Sequence, residues 1–237
     1  MMHNDIAPAV HSARAFGVRQ FDSGRIDGRC NRVRRKAFLY RAGDPVAECV
    51  FAVRYGSFKH YRADGTGAQK ITCFPVCGDF LALDSIGQTK HLGTAVAMED
   101  SEVCEIGYAT LRQQPLLFHS LIRQNILDIR NTSLQLYRSP AEQRLATFLL
   151  RLSRQYGQQG DAPTRYRLPM SRPDIANYLH LAPESVSRLL HHFKLAGLIL
   201  LENRDIVITD LSALEQMALA NGNRATFSTE LSHAMGS

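Results

Sequence analysis

The stretch "MSRPDIANYLHLAPESVSRLLHHFKLAGLILLENRDIVIT", Met170 to Thr209, decides the fold. Ser171 is a good N-cap and Pro173 falls in the turn that follows, a pairing that opens a helix. Ile175, Ala176, Tyr178 and Leu179 supply the inner face of that helix. "HLA" leaves room for only a tight connection. Pro183 opens a second helix, which runs to about Leu195 and stops at Gly197. Beyond it, "LILL", a turn at "ENRD" and "IVIT" predict a hairpin. Two short helices joined by a tight turn and followed by a hairpin read as a winged helix-turn-helix.

In that motif the start of the second helix enters the major groove of DNA. Glu184, Ser187 and Arg188 share one face there, beside the buried-looking Val186, Leu189 and Leu190. Arginine can pair with the O6 and N7 of guanine, glutamate can accept from the N4 of cytosine, and serine can bond several base edges. Standing alone, Glu184 and Arg188 would be a surface pair at helical spacing, worth a few tenths of a kcal/mol. Set between a capped helix and a wing, the face reads DNA. Ser171, Arg172, Ser185 and Lys194 are candidates for contacts to the DNA backbone.

Upstream, residues 1–30 show little periodicity and read as an arm. Residues 31–114 alternate short strand-like runs ("CVFAVRYG", "SFKHYR", "QKITCF", "TAVAME", "EVCEI") with turn signals at "RAGD" and "ADGTG". Closely spaced strands with no helices between them predict an antiparallel roll or sandwich. The period then changes. Ile122, Ile126, Ile129, Ser133 and Leu136 fall at spacings of four, three, four and three, a coiled-coil seam along a helix over 115–138. Leu117, Leu121, Leu127 and Leu134 lie off the seam and suit packing on the same domain. A helix apolar on two faces fits a homodimer. "RSPAE" ends it, and a domain over 139–220 follows, with a tail over 221–237. The fold class is α+β: an N-terminal antiparallel β-roll, a long dimerisation helix and a C-terminal winged helix-turn-helix.

The net charge of +6 in 237 residues is compatible with a polyanionic partner without requiring one. No apolar run approaches the ~20 residues needed to cross a bilayer, and the start lacks the apolar core of a signal peptide, so the expected compartment is the cytoplasm. Five cysteines are scattered without a C-x-x-C pair. Neither a zinc site nor a disulfide framework is signalled, and in a reducing compartment all five are expected to remain thiols.

These blocks resemble the cyclic AMP receptor protein/FNR superfamily of bacterial transcription regulators, and its FNR branch in particular. The resemblance runs from about Phe38 to Ile208 and is carried by "FLYRAGD", "QKITCFPVCGDFLALDSIG", "EVCEI", "PAEQRLATFLLRLSR" and "MSRPDIANYLHLAPESVSRLL". It implies that Glu184, Ser187 and Arg188 read an inverted repeat with TTGAT-type half-sites. It also aligns Leu83, Asp84 and Ser85 with a loop that contacts RNA polymerase. Ala182 stands where the family usually has a threonine N-cap.

The family's signals match less well. Cyclic AMP binders carry a glutamate after the roll's glycine and an Arg-Ser pair beyond it. Here Asp79 follows Gly78 and no Arg-Ser follows, so an anionic nucleotide would lack its main counter-charge. The oxygen sensors hold a [4Fe–4S] cluster on three N-terminal cysteines and one in the roll. Cys104 matches the last, but only Cys30 lies near the others, and Cys104 reads as a buried structural thiol. Those sensors also carry an acidic residue in the dimer helix where this chain has Ile129. For haem, His3, His60 and His91 are isolated, and no spacing singles one out. No cofactor and no metal is expected.

Two functions fit such a chain. One is a homodimeric, sequence-specific transcription regulator that binds double-stranded DNA and RNA polymerase. The other is a ligand- or metal-binding β-roll module, or an enzyme, whose C-terminal helices are structural. No clustered metal ligands, phosphate loop or nucleophile–base pair supports the second, so an enzyme is not expected.

Overall fold

The computed structural model describes residues 29–116, 118–123, 125–126, 139–157 and 164–219. Its N-terminal part is a roll of strands β1 (Cys30–Val33), β2 (Phe38–Tyr40), β3 (Cys49–Tyr55), β4 (Phe58–Ala63), β5 (Gln69–Cys73), β6 (Phe80–Leu81), β7 (Thr94–Ala97) and β8 (Ser101–Gly107). They form two four-stranded antiparallel sheets, ordered β1-β8-β3-β6 and β2-β7-β4-β5. Period-two alternation aims Phe51 and Val53 of β3 into the roll, where they bury with Tyr40, Phe58, Leu81, Ala95 and Val103. The expected turn signals behave as such. Asp64 accepts from the backbone N–H groups of Thr66 and Ala68, and Gly67 takes the positive φ that closes the turn.

β3 is buried on its other face too. Val50 packs with Ile106 of the neighbouring strand β8, with Leu111 of helix α1 (Tyr108–Gln113) and with Leu121 of the helical residues 118–123. The helix expected to start at 115 is thus preceded by a separate short one, broken at Gln114, whose φ of −125° and ψ of 66° are not helical. Leu121 packs on its own domain as its off-seam position predicts. Of the seam, Ile122 is half-buried and Ile126 is 58% exposed, whereas Ile129, Ser133 and Leu136 lie outside the described residues.

The C-terminal part comprises α2 (Ala141–Gly157), β9 (Arg165–Arg167), α3 (Arg172–Leu179), α4 (Pro183–Leu195), the hairpin β10 (Ile199–Glu202) and β11 (Asp205–Ile208), and α5 (Leu211–Leu219). β11 pairs with both β10 and β9, giving a three-stranded sheet. Asn203 turns the hairpin with a positive φ of 56°. α2 repeats leucine at 145, 149 and 152, and its broad inner face closes the domain core with Ile175, Val186, Leu190, Phe193 and Ile206.

That core extends into the roll. Ile71, Phe74 and Val76 belong to the same buried cluster, and the Phe74 ring meets Tyr178 edge-on at 5.2 Å and Phe148 at 6.0 Å. Phe74→Ala should lower the free energy of unfolding by ~3–5 kcal/mol, as for other buried Phe truncations, in a urea titration followed by circular dichroism.

One expectation is overturned. Cys30 and Cys104 are not separate thiols but are joined by a disulfide, with Cα atoms 4.0 Å apart. The two are directly opposed on adjacent antiparallel strands. Sequence spacing gave no hint of this, because 74 residues separate them.

Candidate nucleic-acid interface

α3 is held at every side. Ser171 caps it by accepting from the Asp174 N–H at 3.2 Å, and its own hydroxyl donates to the Asp174 carboxylate at 2.6 Å. Lys59 of β4 reaches across from the roll to the same carboxylate at 2.8 Å. Asn177, one turn on, sits on the open edge of β5: its Oδ1 accepts from the Ile71 N–H at 2.8 Å and its Nδ2 donates to the Gln69 carbonyl at 2.9 Å. At the far end, Arg144 of α2 donates to the Leu179 carbonyl at 2.7 Å, satisfying one of the orphan carbonyls of the helix terminus. Arg151 donates to the Tyr178 hydroxyl at 2.9 Å. His180 then takes a left-handed φ of 53° and turns the chain into α4.

α4 has two unlike faces. Val186, Leu190 and Phe193 are buried in the shared core, while Glu184, Ser187 and Arg188 are exposed. Among the described residues no ion pair joins Glu184 to Arg188. The Arg188 guanidinium lies 3.5 Å from the Ser185 hydroxyl, and the Ser187 hydroxyl donates to the Pro183 carbonyl at 3.1 Å. The three candidate readers therefore make local contacts only and share one solvent-facing strip. Ala182 is the N-cap and offers no side-chain bond.

The candidate backbone contacts are spread over two elements. Ser171 and Arg172 lie at the start of α3, half-buried, with Ser171 already engaged with Asp174; Ser185 is half-buried and Lys194 is exposed on α4. Burial and the neighbouring Arg204 lower the Arg172 guanidinium from its usual value. Burial would raise the Asp174 carboxyl, but the hydrogen bonds from Lys59 and Ser171 outweigh it and hold the group below its usual range.

The candidate polymerase loop is a single 3-10 turn, Leu83–Ser85. Asp84 is exposed. Ser85 is only 1% exposed and its hydroxyl bonds the Nδ1 of His91 at 2.9 Å, so it presents nothing to a partner. Leu83 is partly buried against the cluster of Val50 and Ile106.

The structure also brings together residues that are isolated in sequence. His60 and His91 are both buried beside Tyr40, whose ring stacks on His91 at 3.9 Å. His60 bonds Thr72 through Nδ1 and turns Nε2 toward Asp84 at 3.8 Å. Burial lowers the pKa of both histidines, and Asp84 opposes it only in part. Gly93 lies against the His60 ring, where an added Cβ would fall 2.6 Å from Cε1. Among the described residues no group of three or more His, Cys, Asp and Glu side chains could hold a metal ion.

Fold and site together define a winged helix-turn-helix transcription regulator with a cyclic-nucleotide-binding-type roll. Residues 143–217 match the family described as Crp-like helix-turn-helix domain, and residues 30–114 match the one described as cyclic nucleotide-binding domain. The chain is 39% identical to the transcriptional regulatory protein btr of Bordetella pertussis over 193 residues, covering 78% of this chain and 79% of that one. It is 34% identical to the fumarate and nitrate reduction regulatory protein of Escherichia coli, covering 86% and 85%. The solved structure of FixK2 from Bradyrhizobium japonicum superposes with a TM-score of 0.71 at 27% identity, covering 83% of this chain and all of that one. The chain belongs to the cyclic AMP receptor protein/FNR family of DNA-binding transcription regulators and is not an enzyme. No helix among the described residues is long and apolar enough to cross a membrane.

Two outcomes are expected. Ala182→Thr should stabilise the chain by ~1 kcal/mol, read as a raised urea midpoint, by supplying the missing cap. The Asp174 carboxyl has a depressed folded pKa, so its contribution is complete above the unfolded value of ~3.9 and fades as pH falls through the folded one. The stability difference between wild type and Lys59→Met should therefore be flat from pH ~8 to ~5 and shrink only below pH ~4.

Proposed function

We propose that the chain binds, as a homodimer, an inverted repeat with TTGAT-type half-sites. Glu184, Ser187 and Arg188 read base edges. The observation that carries this is the bare strip on α4: three hydrogen-bonding side chains exposed on a helix whose opposite face is buried and whose neighbour α3 is fixed. Arg188 fits a guanine, Glu184 fits the amino group of a cytosine, and Ser187 keeps lone pairs free to accept. Ser171, Arg172, Ser185 and Lys194 set the register through phosphates. The exposed Ile126 supports a dimer seam with Ile122, continued by Ile129, Ser133 and Leu136.

The roll contributes Asp84, with Leu83 beside it, as the contact for RNA polymerase in activation. It takes no cyclic nucleotide, because Gly78 to Ala97 contains no arginine to meet a phosphate. It holds no [4Fe–4S] cluster either. A cluster needs about four ligands, no cysteine precedes Cys30, and Cys30 is bonded to Cys104. Two of the three candidate haem ligands are engaged otherwise, the rings of His60 and His91 being buried against Thr72, Ser85 and Tyr40, while His3 lies outside the described residues. The compartment is the cytoplasm.

Fluorescence anisotropy tests the reading. Wild type should prefer a TTGAT inverted repeat to a scrambled duplex, and Arg188→Ala should lose ~1–3 kcal/mol and its preference at one guanine. Lys194→Ala should weaken all duplexes alike and lower the salt slope by about one. Equal wild-type binding to both duplexes sinks the reading. Asp84→Ala should lower transcription in vitro with promoter affinity unchanged; a loss of DNA binding instead would remove it as a polymerase contact.

A further inference from the structure

We propose that Cys30 and Cys104 form a redox-active site in the roll, a dithiol that exchanges reversibly with small-molecule disulfides of the glutathione class and thereby sets how firmly α1 and the helical residues 118–123 are seated on the roll. The pair is placed for this. Cys30 is exposed on β1, an edge strand whose sole sheet neighbour among the described residues is β8, and Cys104 is half-buried directly opposite. No rearrangement is needed to bring the sulfurs together, because the register already does so.

The other described cysteines are poor competitors. Burial, with Glu105 nearby, pushes the Cys49 thiol up to about 11, and burial pushes Cys73 up to about 12. Cys77 donates its S–H to the Arg54 carbonyl at 2.9 Å. Thiolate is the reactive form, so Cys49 and Cys73 react slowly.

The chemistry balances. The Cys30 thiolate attacks one sulfur of the small disulfide, forming a mixed disulfide and releasing one thiolate. The Cys104 thiolate then attacks Cys30 and expels the second. One small disulfide becomes two thiols, taking up the two protons and two electrons that the cysteine pair gives up. Excess small thiol reverses both steps.

The position of Cys104 carries the effect inward. It stands opposite Ala52, and two residues on Ile106 stands opposite Val50. Side chains two apart on a strand share a face, so Cys104 and Ala52 lie on the face that holds Ile106 and Val50. That is the face covered by Leu111 and Leu121, against which Ala52 also packs. The disulfide therefore staples the edge strand to the sheet surface on which the helices rest. Without it β1 is held by its backbone ladder and by contacts such as Asn31 to Glu105 at 2.6 Å and Arg32 to Glu102 at 3.8 Å.

This site lies in the roll, so its chemistry is independent of which DNA half-site the chain reads. The full chain is equilibrated with glutathione disulfide or with excess glutathione, then acid-quenched, alkylated and mapped without reduction. The oxidised sample should yield a Cys30–Cys104 cross-linked peptide, and the reduced one two alkylated cysteines. Hydrogen exchange of residues 106–116 should be at least ~5-fold faster in the reduced chain, as expected of a local opening made easier. Cys30→Ser should exchange at the reduced rate in both buffers, while Cys49→Ser keeps the wild-type response. Free Cys30 and Cys104 after equilibration with glutathione disulfide would overturn the proposal. So would equal exchange over 106–116 in the two wild-type samples.

Discussion

The open edge of β5 is the constraint on which the arrangement of the two halves depends. An edge strand presents unpaired N–H and C=O groups, and burying them without partners is costly. Here Asn177 supplies both partners from one side-chain amide, spanning the Gln69 carbonyl and the Ile71 N–H. The first helix of the helix-turn-helix, α3, thus completes the sheet of the roll. Phe74 fills the space beneath, between Phe148 and Tyr178, and Lys59 closes the flank on Asp174. Because α4 packs on α3 through Val186 and Leu190, its orientation is set by the same edge.

The polar groups of the two helices are used in opposite ways. On α3 they are engaged: Asp174, Asn177 and Tyr178 each have a partner outside the helix. On α4 the polar residues of the outer strip bond only within their own turn. A helix whose charged side chains are left to water beside one whose Asp174, Asn177 and Tyr178 are claimed is the division expected of a reading element and its mount.

Much of this was legible in the sequence, because periodicity and punctuation are local signals. The strand runs containing Val50, Lys59, Ile71, Val96 and Val103 appear as expected, as do the Ser171 cap, the turn at His180 and the hairpin at Asn203. What escaped depends on contacts between distant residues. Asn177 and Gln69 are 108 positions apart, and no pattern in either segment announces the pairing. Ser85 reads as a polar turn residue until His91 is placed beside it. The Cys30–Cys104 bond follows from the register of β1 on β8, which period-two alternation alone does not reveal. His60 and His91 were scattered polar residues in one dimension and neighbours of a single tyrosine in three.

That last cluster has a consequence for how the roll can vary. His60 occupies the space that any side chain at position 93 would need, with the Tyr61 carbonyl closing the other side at 3.0 Å from an added Cβ. The histidine and the glycine are complementary halves of one volume. A larger residue at 93 becomes tolerable only when 60 shrinks, and a smaller residue at 60 leaves a hole unless 93 grows. Changes at the two positions are therefore coupled rather than additive.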